Sequence, residues 1–192
     1  MSSNFQSCKS KAHALGIDSL QLLVDEYLHH WGSSYQQEDA WWGDRTLNWE
    51  AALARAWNSR FSDGKMHAHQ YRVGSKKLSE GLGIALDRQK LPDSFESFRD
   101  VYDWIEHITR DVYRIGDVTA YDVARRLGAW LGLAPSRVYL HGGTRIGAKI
   151  LGVYDNPAPL SVFPHPLRAL SATHIENFLC IYKARLTNEM TV

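Results

Sequence analysis

Cysteine is scarce: the 192 residues hold two, Cys8 and Cys180. Two thiols so far apart cannot by themselves supply a four-cysteine iron–sulfur cluster or a structural zinc site. They point to reduced thiols in a cytoplasmic protein, not to a disulfide-stapled secreted one. Long apolar runs are missing as well. No stretch is long enough to span a bilayer, and the opening MSSNFQSCKSKAHALG has no apolar core of signal-peptide length, so a soluble chain without a membrane partner is expected. An excess of either charge is also lacking. The 22 Lys and Arg face 21 Asp and Glu, leaving +1, so any affinity for nucleic acid must come from a local basic face. The GxxxxGKS/T spacing of a P-loop does not occur, which disfavours nucleotide hydrolysis. Repeats and low-complexity segments are absent. No motif asks for a cofactor.

What is present is a globular composition, 44% hydrophobic, in a length that suits one domain, either undivided or built of two lobes around a cleft. Residues 1–15 are polar and expected to be flexible; 16–192 form the domain. Leu20, Leu23, Val24 and Tyr27 recur at helical spacing after a cap at Asp18 or Ser19. A polar stretch with Trp41 and Trp42 follows, expected as a loop. Asn48 caps a second helix whose Trp49, Leu53 and Trp57 share a face. The chain turns at Ser62-Asp63-Gly64 into KMHAHQYRV, and Ser75 starts a helix interrupted by Gly81 and Gly83. Phe98, Val101, Tyr102, Ile105 and Ile108 mark a strongly amphipathic helix. Beyond Pro135 come SRVYLHGG, a small helix TRIGAKIL, a proline-bearing loop over 155–166, and a last helix. That last helix is expected to start at Thr173 with Glu176 as its capping-box partner and to end near Lys183. No strand is expected; the fold class is mainly α.

Between the amphipathic helix and Pro135 lies RIGDVTAYDVARRLGAWLGL. A tight turn around Gly116 leads at once into an apolar helix, the pattern of the second half of a helix-hairpin-helix, with Arg114 where such hairpins place their first glycine. A helix starting there aims its free N–H groups and positive dipole end outward as an anion site, with Ile115, Gly116 and Thr119 as the phosphate-binding residues. Ala120, Val123, Ala124, Leu127 and Leu131 form the core stripe of this helix. Val118, Asp122, Arg125 and Arg126 lie on its other side. Asp122 one turn inside the helix start is either a carboxylate stabilising positive charge on a sugar, or a dipole-balancing residue paired with Arg126 at i+4.

Two further constellations carry polar chemistry. In KMHAHQYRV, His67, His69 and Gln70 supply donors and acceptors able to hold an extruded base or fill the hole it leaves, with His67 and Gln70 on one helix face. The alternative is a polar, partly exposed helix start. His67 and His69 point apart on a helix and no carboxylate accompanies them in sequence, so no metal site is expected. In VYLHGGTRIGAKIL, Thr144 as a helix cap with Arg145 and Lys149 one turn apart makes a second phosphate contact, or a plain helix start.

Read in order, HAHQYRV, RIGDVTAYDVA and VYLHGGTRIGAKILG resemble the helix-hairpin-helix DNA glycosylase superfamily, over residues 62–152. Its members carry a glutamine helix, a GxGxxTA hairpin and a VDTHVxR-like segment starting a further helix. The YD of the hairpin helix and LHGGTR are nearer the glycosylase-like helical proteins linked to hypermodified pyrimidines in phage DNA. The resemblance implies a helical glycosylase-like domain and double-stranded DNA as partner, modified phage DNA included, in an antiviral defence activity. A monomer is expected. By the same resemblance, Val118 stands where bifunctional members place a lysine nucleophile, so no strand cleavage is expected from this position. Tyr139 stands where the family has its aspartate, leaving Asp122 to substitute for it. His141 aligns with the family's histidine, and Gln70 with the glutamine that enters the duplex.

Asp122, His141 and Tyr139 are thus the candidate catalytic residues, and His67, His69, Gln70 and Val118 those that hold the base. The implied activity is hydrolysis of the N-glycosidic bond of a hydroxymethylated or glycosylated pyrimidine. A catalytically inert DNA-binding module, such as the helical partner of a base-modifying kinase or transferase, is favoured by Tyr139. The near-zero net charge keeps open a helical interaction protein without DNA.

Overall fold

Apolar side chains at three- and four-residue spacing build most of this chain into helices. The computed structural model describes residues 17–188. The segment expected to be flexible, 1–15, lies outside the described residues. Nine α-helices occur among the described residues: α1 Ile17–Trp42, α2 Trp49–Asn58, α3 Ala68–Tyr71, α4 Ser75–Asp87, α5 Phe98–Arg110, α6 Asp117–Leu131, α7 Gly142–Ile150, α8 His165–Arg168 and α9 Ala172–Asn188. The mainly α expectation holds, with one correction. Two-residue strands β1 (Arg137–Val138) and β2 (Ala158–Pro159) pair antiparallel, Val138 opposite Ala158. None of the described helices is long and apolar enough to cross a membrane.

Local chemistry accounts for the element starts. Asn48 accepts the Ala51 N–H at 2.9 Å and caps α2, and Ser97 with Asp100 forms a capping box on α5. Gly81 lets α4 lie against α2, since a Cβ there would meet the Trp57 ring at 2.2 Å. Trp57 is fully buried, and truncating such a side chain to alanine costs about 3–5 kcal/mol. The polar stretch expected as a loop is instead the second half of α1. Tyr35, Glu38 and Trp42 recur on its inward side, and Arg125 of α6 ties it down through Asp39 (2.7 Å) and Glu38 (3.8 Å).

The buried side chains fall into two clusters. One joins the first half of α1 to α7, α8, α9 and the strands, around Tyr27, Phe163 and Phe178. The other joins α2, α4, α5 and α6, around Trp57, Ile105, Tyr121 and Leu127. The chain from β1 into α7 threads between them: Val138 and Leu140 belong to the first cluster, Tyr139 to the second, as alternation along extended backbone requires. Helix α6 is buried on nearly every side, its Asp122–Arg126 face included. That face, read from sequence as lying opposite the core, is covered by α2 and α3.

Candidate active-site cavity

The start of α6 is shaped by what its first residues lack. Gly116 has no side chain to cap the helix, and Asp117 Oδ1 accepts the N–H of Val118 at 3.0 Å. The turn itself is made by Arg114 at φ +70°, while Gly116 is extended at φ −114°. The residue standing in for the hairpin's first glycine therefore takes the left-handed conformation, and Gly116 does not. Two of the amides expected to hold phosphate are used internally: Ile115 donates to Val112 O and Thr119 to Gly116 O.

The cap of helix α7 lies three residues earlier than expected. His141, not Thr144, is its N-cap residue. Thr144 is buried, its Oγ1 accepting the His141 N–H at 2.7 Å and donating to the His141 carbonyl at 2.6 Å, so it cannot serve as an outward phosphate ligand. Gly147 allows α7 to rest on α9, since a Cβ there would meet the Leu179 carbonyl oxygen at 2.6 Å. That close approach brings His141, at the head of α7, to Glu176 of α9.

Glu176 was expected in a capping box with Thr173. Ser171 is the residue whose Oγ accepts a helix N–H, that of His174 at 3.3 Å, and α9 runs on to Asn188. Glu176 is instead buried in a cavity of about 510 Å³. Its walls are His69 of α3 with Arg72 just after it, Gly116–Thr119 from the hairpin and α6, His141 and Gly143 at the head of α7, and Glu176 and Cys180 from α9. These elements belong to both sides of the molecule, so the cavity lies at the seam between the two apolar clusters.

Behind its wall runs a buried polar chain. Asp122 Oδ2 meets His69 Nδ1 at 2.9 Å and accepts from Gln70 Nε2 at 2.7 Å. Gln70 Oε1 accepts from Arg126 at 2.8 Å, and Arg126 also donates to Ser59 Oγ at 2.7 Å. The expected i+4 pairing of Asp122 with Arg126 is thus bridged by Gln70. Gln70 itself is fully buried, with both ends of its amide engaged, so it cannot enter a duplex from this position. Around it Ala68, His69 and Tyr71 of α3, and Arg72 just after the helix, are exposed.

These contacts set the charges. Burial alone would raise the Asp122 carboxyl, but the His69 hydrogen bond and then the Arg126 charge outweigh it and hold the group below the usual carboxylate range. The same hydrogen bond raises His69 against its own desolvation. Burial drives His67 down to about 4, leaving it neutral. Arg126 falls to about 10 through burial and stays cationic at neutral pH. Glu176 goes the other way: burial, then the Asp122 charge, push it up to about 8. Two carboxyls of one site therefore differ in protonation at neutral pH, the arrangement that separates acid from base.

His67, the N-cap of α3, lies with its ring 4.9 Å from that of His69. Ligand atoms of His67, His69 and Asp122 lie within 4.8 Å of one another, so folding supplies the carboxylate that the sequence did not place beside the histidines. Asp122 Oδ2 already has two partners and the Arg126 cation stands behind Gln70. The cluster is satisfied as a hydrogen-bonded imidazole–carboxylate pair.

Of the sequence candidates, His69, Gly116, Val118, Thr119 and His141 meet at the cavity, with Asp122 and Gln70 directly behind His69. Tyr139 does not. It packs among Phe98, Tyr102 and Tyr121 and lines a separate cavity with Arg99 and Arg137. Ile115 packs against the second cluster. Arg145 leans on Asp117 at 3.7 Å and donates to Leu140 O, and Lys149 is exposed on α7. Sequence reasoning missed Glu176, Arg72 and Cys180. For Glu176 a signal existed: it falls at four- and three-residue spacing between Ala172 and Leu179, an acid inside an apolar stripe. Comparison with protein-family models, with curated proteins and with solved structures finds no match to this chain.

Proposed function

We propose that this chain is a monofunctional DNA glycosylase that hydrolyses the N-glycosidic bond of a modified pyrimidine, hydroxymethylated or glycosylated, in double-stranded DNA such as that of a phage. The reading takes the helix-hairpin-helix resemblance as its frame. One observation carries it: residues from the three separate segments that the resemblance singled out converge on one cavity at the start of α6, with an ionised carboxylate directly behind its wall.

In this reading the extruded base occupies the cavity, and the sugar sits near His69 and Asp122. Negative charge on Asp122 stabilises the positive charge that develops on the sugar as the bond to the base breaks. His69, held by Asp122, faces the cavity and orients the water that completes hydrolysis. Val118 on the wall offers no amine, so no Schiff base forms there. The test is incubation of the protein with genomic DNA from phages of differing base modification, followed by mass spectrometry of released bases. Release of one modified pyrimidine supports the reading, and no free base from any of the DNAs overturns it.

A second reading, an inert DNA-binding module, is favoured by the full engagement of Gln70 and of Asp122 Oδ2. It predicts DNA binding without base release and no effect of Asp122→Asn on that binding.

A further inference from the structure

The mechanism above leaves a carboxyl unused. Glu176 lines the cavity, is 5% exposed, and faces His141 Nε2 at 3.6 Å, too long for a hydrogen bond. His141 Nε2 is itself buried with no hydrogen-bond partner among the described residues. Buried polar atoms are almost always paired, so this unpaired nitrogen, with the Glu176 carboxyl 3.6 Å away on the same cavity wall, marks a place where a ligand completes the bonding. Glu176 does not finish the end of α9, because Ser171 does. It feels the charge of the ionised Asp122 behind the cavity wall.

We infer that Glu176 is the general acid of this site, donating its carboxyl proton to the O2 of the departing pyrimidine beside His141 Nε2; the inference rests on the base-releasing reading. The C1′–N1 bond breaks and its electron pair passes into the base, whose O2 takes the Glu176 proton. Water adds to C1′ and gives one proton to the His69–Asp122 pair. Glu176 ends as a carboxylate and is reprotonated from solvent once the base has left. Several groups bear on its titration: Asp122, Tyr121 and Arg125 on α6, His69 on α3, His141 at the head of α7, Tyr27 and Tyr35 on α1, and Cys180 on α9 itself. Burial and the Asp122 carboxylate dominate, so the acid form persists to about pH 8.

The experiment compares the full-length protein with Glu176→Gln and Glu176→Asp. In the free protein, carboxyl carbon NMR follows the titration of each glutamate. Base release from modified phage DNA is then timed under single-turnover conditions from weakly acidic to alkaline pH. The expected result is one carboxyl titrating near pH 8 that vanishes in Glu176→Gln, and wild-type release that declines as pH rises through that value. Glu176→Gln should release base about 10²–10⁴-fold more slowly, without that alkaline decline, because a positioned acid contributes that much. Glu176→Asp should lie between. Wild-type release with an unchanged rate and pH profile in Glu176→Gln would overturn the acid role alone. So would a Glu176 carboxyl titrating in the ordinary carboxylate range, which needs no turnover to detect. A carboxyl titrating near pH 8 in a protein that releases no base from any DNA overturns the base-releasing reading, and the acid role with it.

Discussion

Asp122 and Glu176 are both buried carboxyls, and their neighbours send them in opposite directions. Asp122 is surrounded by donors and by Arg126. Its folded-state pKa lies below the unfolded value, so the stability it contributes is present above about pH 4 and lost as pH falls through the folded value. Glu176 has no such donors, and its folded-state pKa lies above the unfolded one. Its contribution is fully present below the ordinary carboxylate pKa and is lost as pH rises towards about 8. Glu176→Gln should therefore melt above the wild type at pH 8, with the gap closing as pH falls towards the ordinary glutamate range. An equal or lower melting temperature at pH 8 would count against a buried, destabilised acid. Asp122→Asn keeps the shape and should stay folded, while base release falls about 10–1000-fold, or about 1–4 kcal/mol of transition-state stabilisation. Asp122→Ala should in addition lower stability by about 1–3 kcal/mol, because Gln70 Nε2 would lose its acceptor in a buried site. Calorimetry of the two variants separates the loss of charge from the loss of a hydrogen-bond partner.

Helix α7 owes its place to small residues, and the site depends on that placement. A Cβ at Gly147 would collide with the α9 backbone, which cannot swing aside as a side chain can. Gly147→Ala should cost about 1–3 kcal/mol in denaturant unfolding despite alanine's better helix propensity. It should also slow base release by moving His141 away from Glu176, whereas Gly83→Ala, at an open position on α4, should do neither. Such contacts explain which parts of the fold were readable. Helix α2 with its Asn48 cap and α5 with its strong apolar periodicity were legible because those signals are local in the chain. The second half of α1 was not, because its polar residues are held by Arg125, some 86 residues away in sequence. The site follows the same rule. The hairpin, His69 and His141 carry local polar patterns, and these are the residues that meet at the cavity. The burial of Gln70 between Asp122 and Arg126, and the withdrawal of Tyr139 into an aromatic cluster, depend on contacts across the chain. The TxxE spacing of Thr173 and Glu176 looks like a cap in sequence, but in the fold Ser171 is the capping residue.

For the molecule as a whole, a net charge of +1 sets the terms for any DNA contact. At the α6 end Asp117 opposes the dipole, and Arg145 is shared with it at 3.7 Å, so few phosphates can be neutralised. Converting Arg145 and Lys149 together to alanine should weaken binding to all DNA about equally and reduce the salt slope by about one to two units. The chemical step at saturating DNA should stay nearly unchanged, because such contacts bind ground and transition states alike. Normal binding with failed base release would instead place this segment in the chemistry. The product itself is the most direct readout of all. A duplex carrying a single hydroxymethylated or glycosylated pyrimidine is incubated with the protein, with and without borohydride, and the strand is analysed before and after alkali. The proposed chemistry predicts free base, an intact strand that breaks only in alkali, and no trapped protein–DNA adduct, because the position facing the sugar is Val118. Rapid nicking without alkali, with an adduct on a lysine, would contradict it.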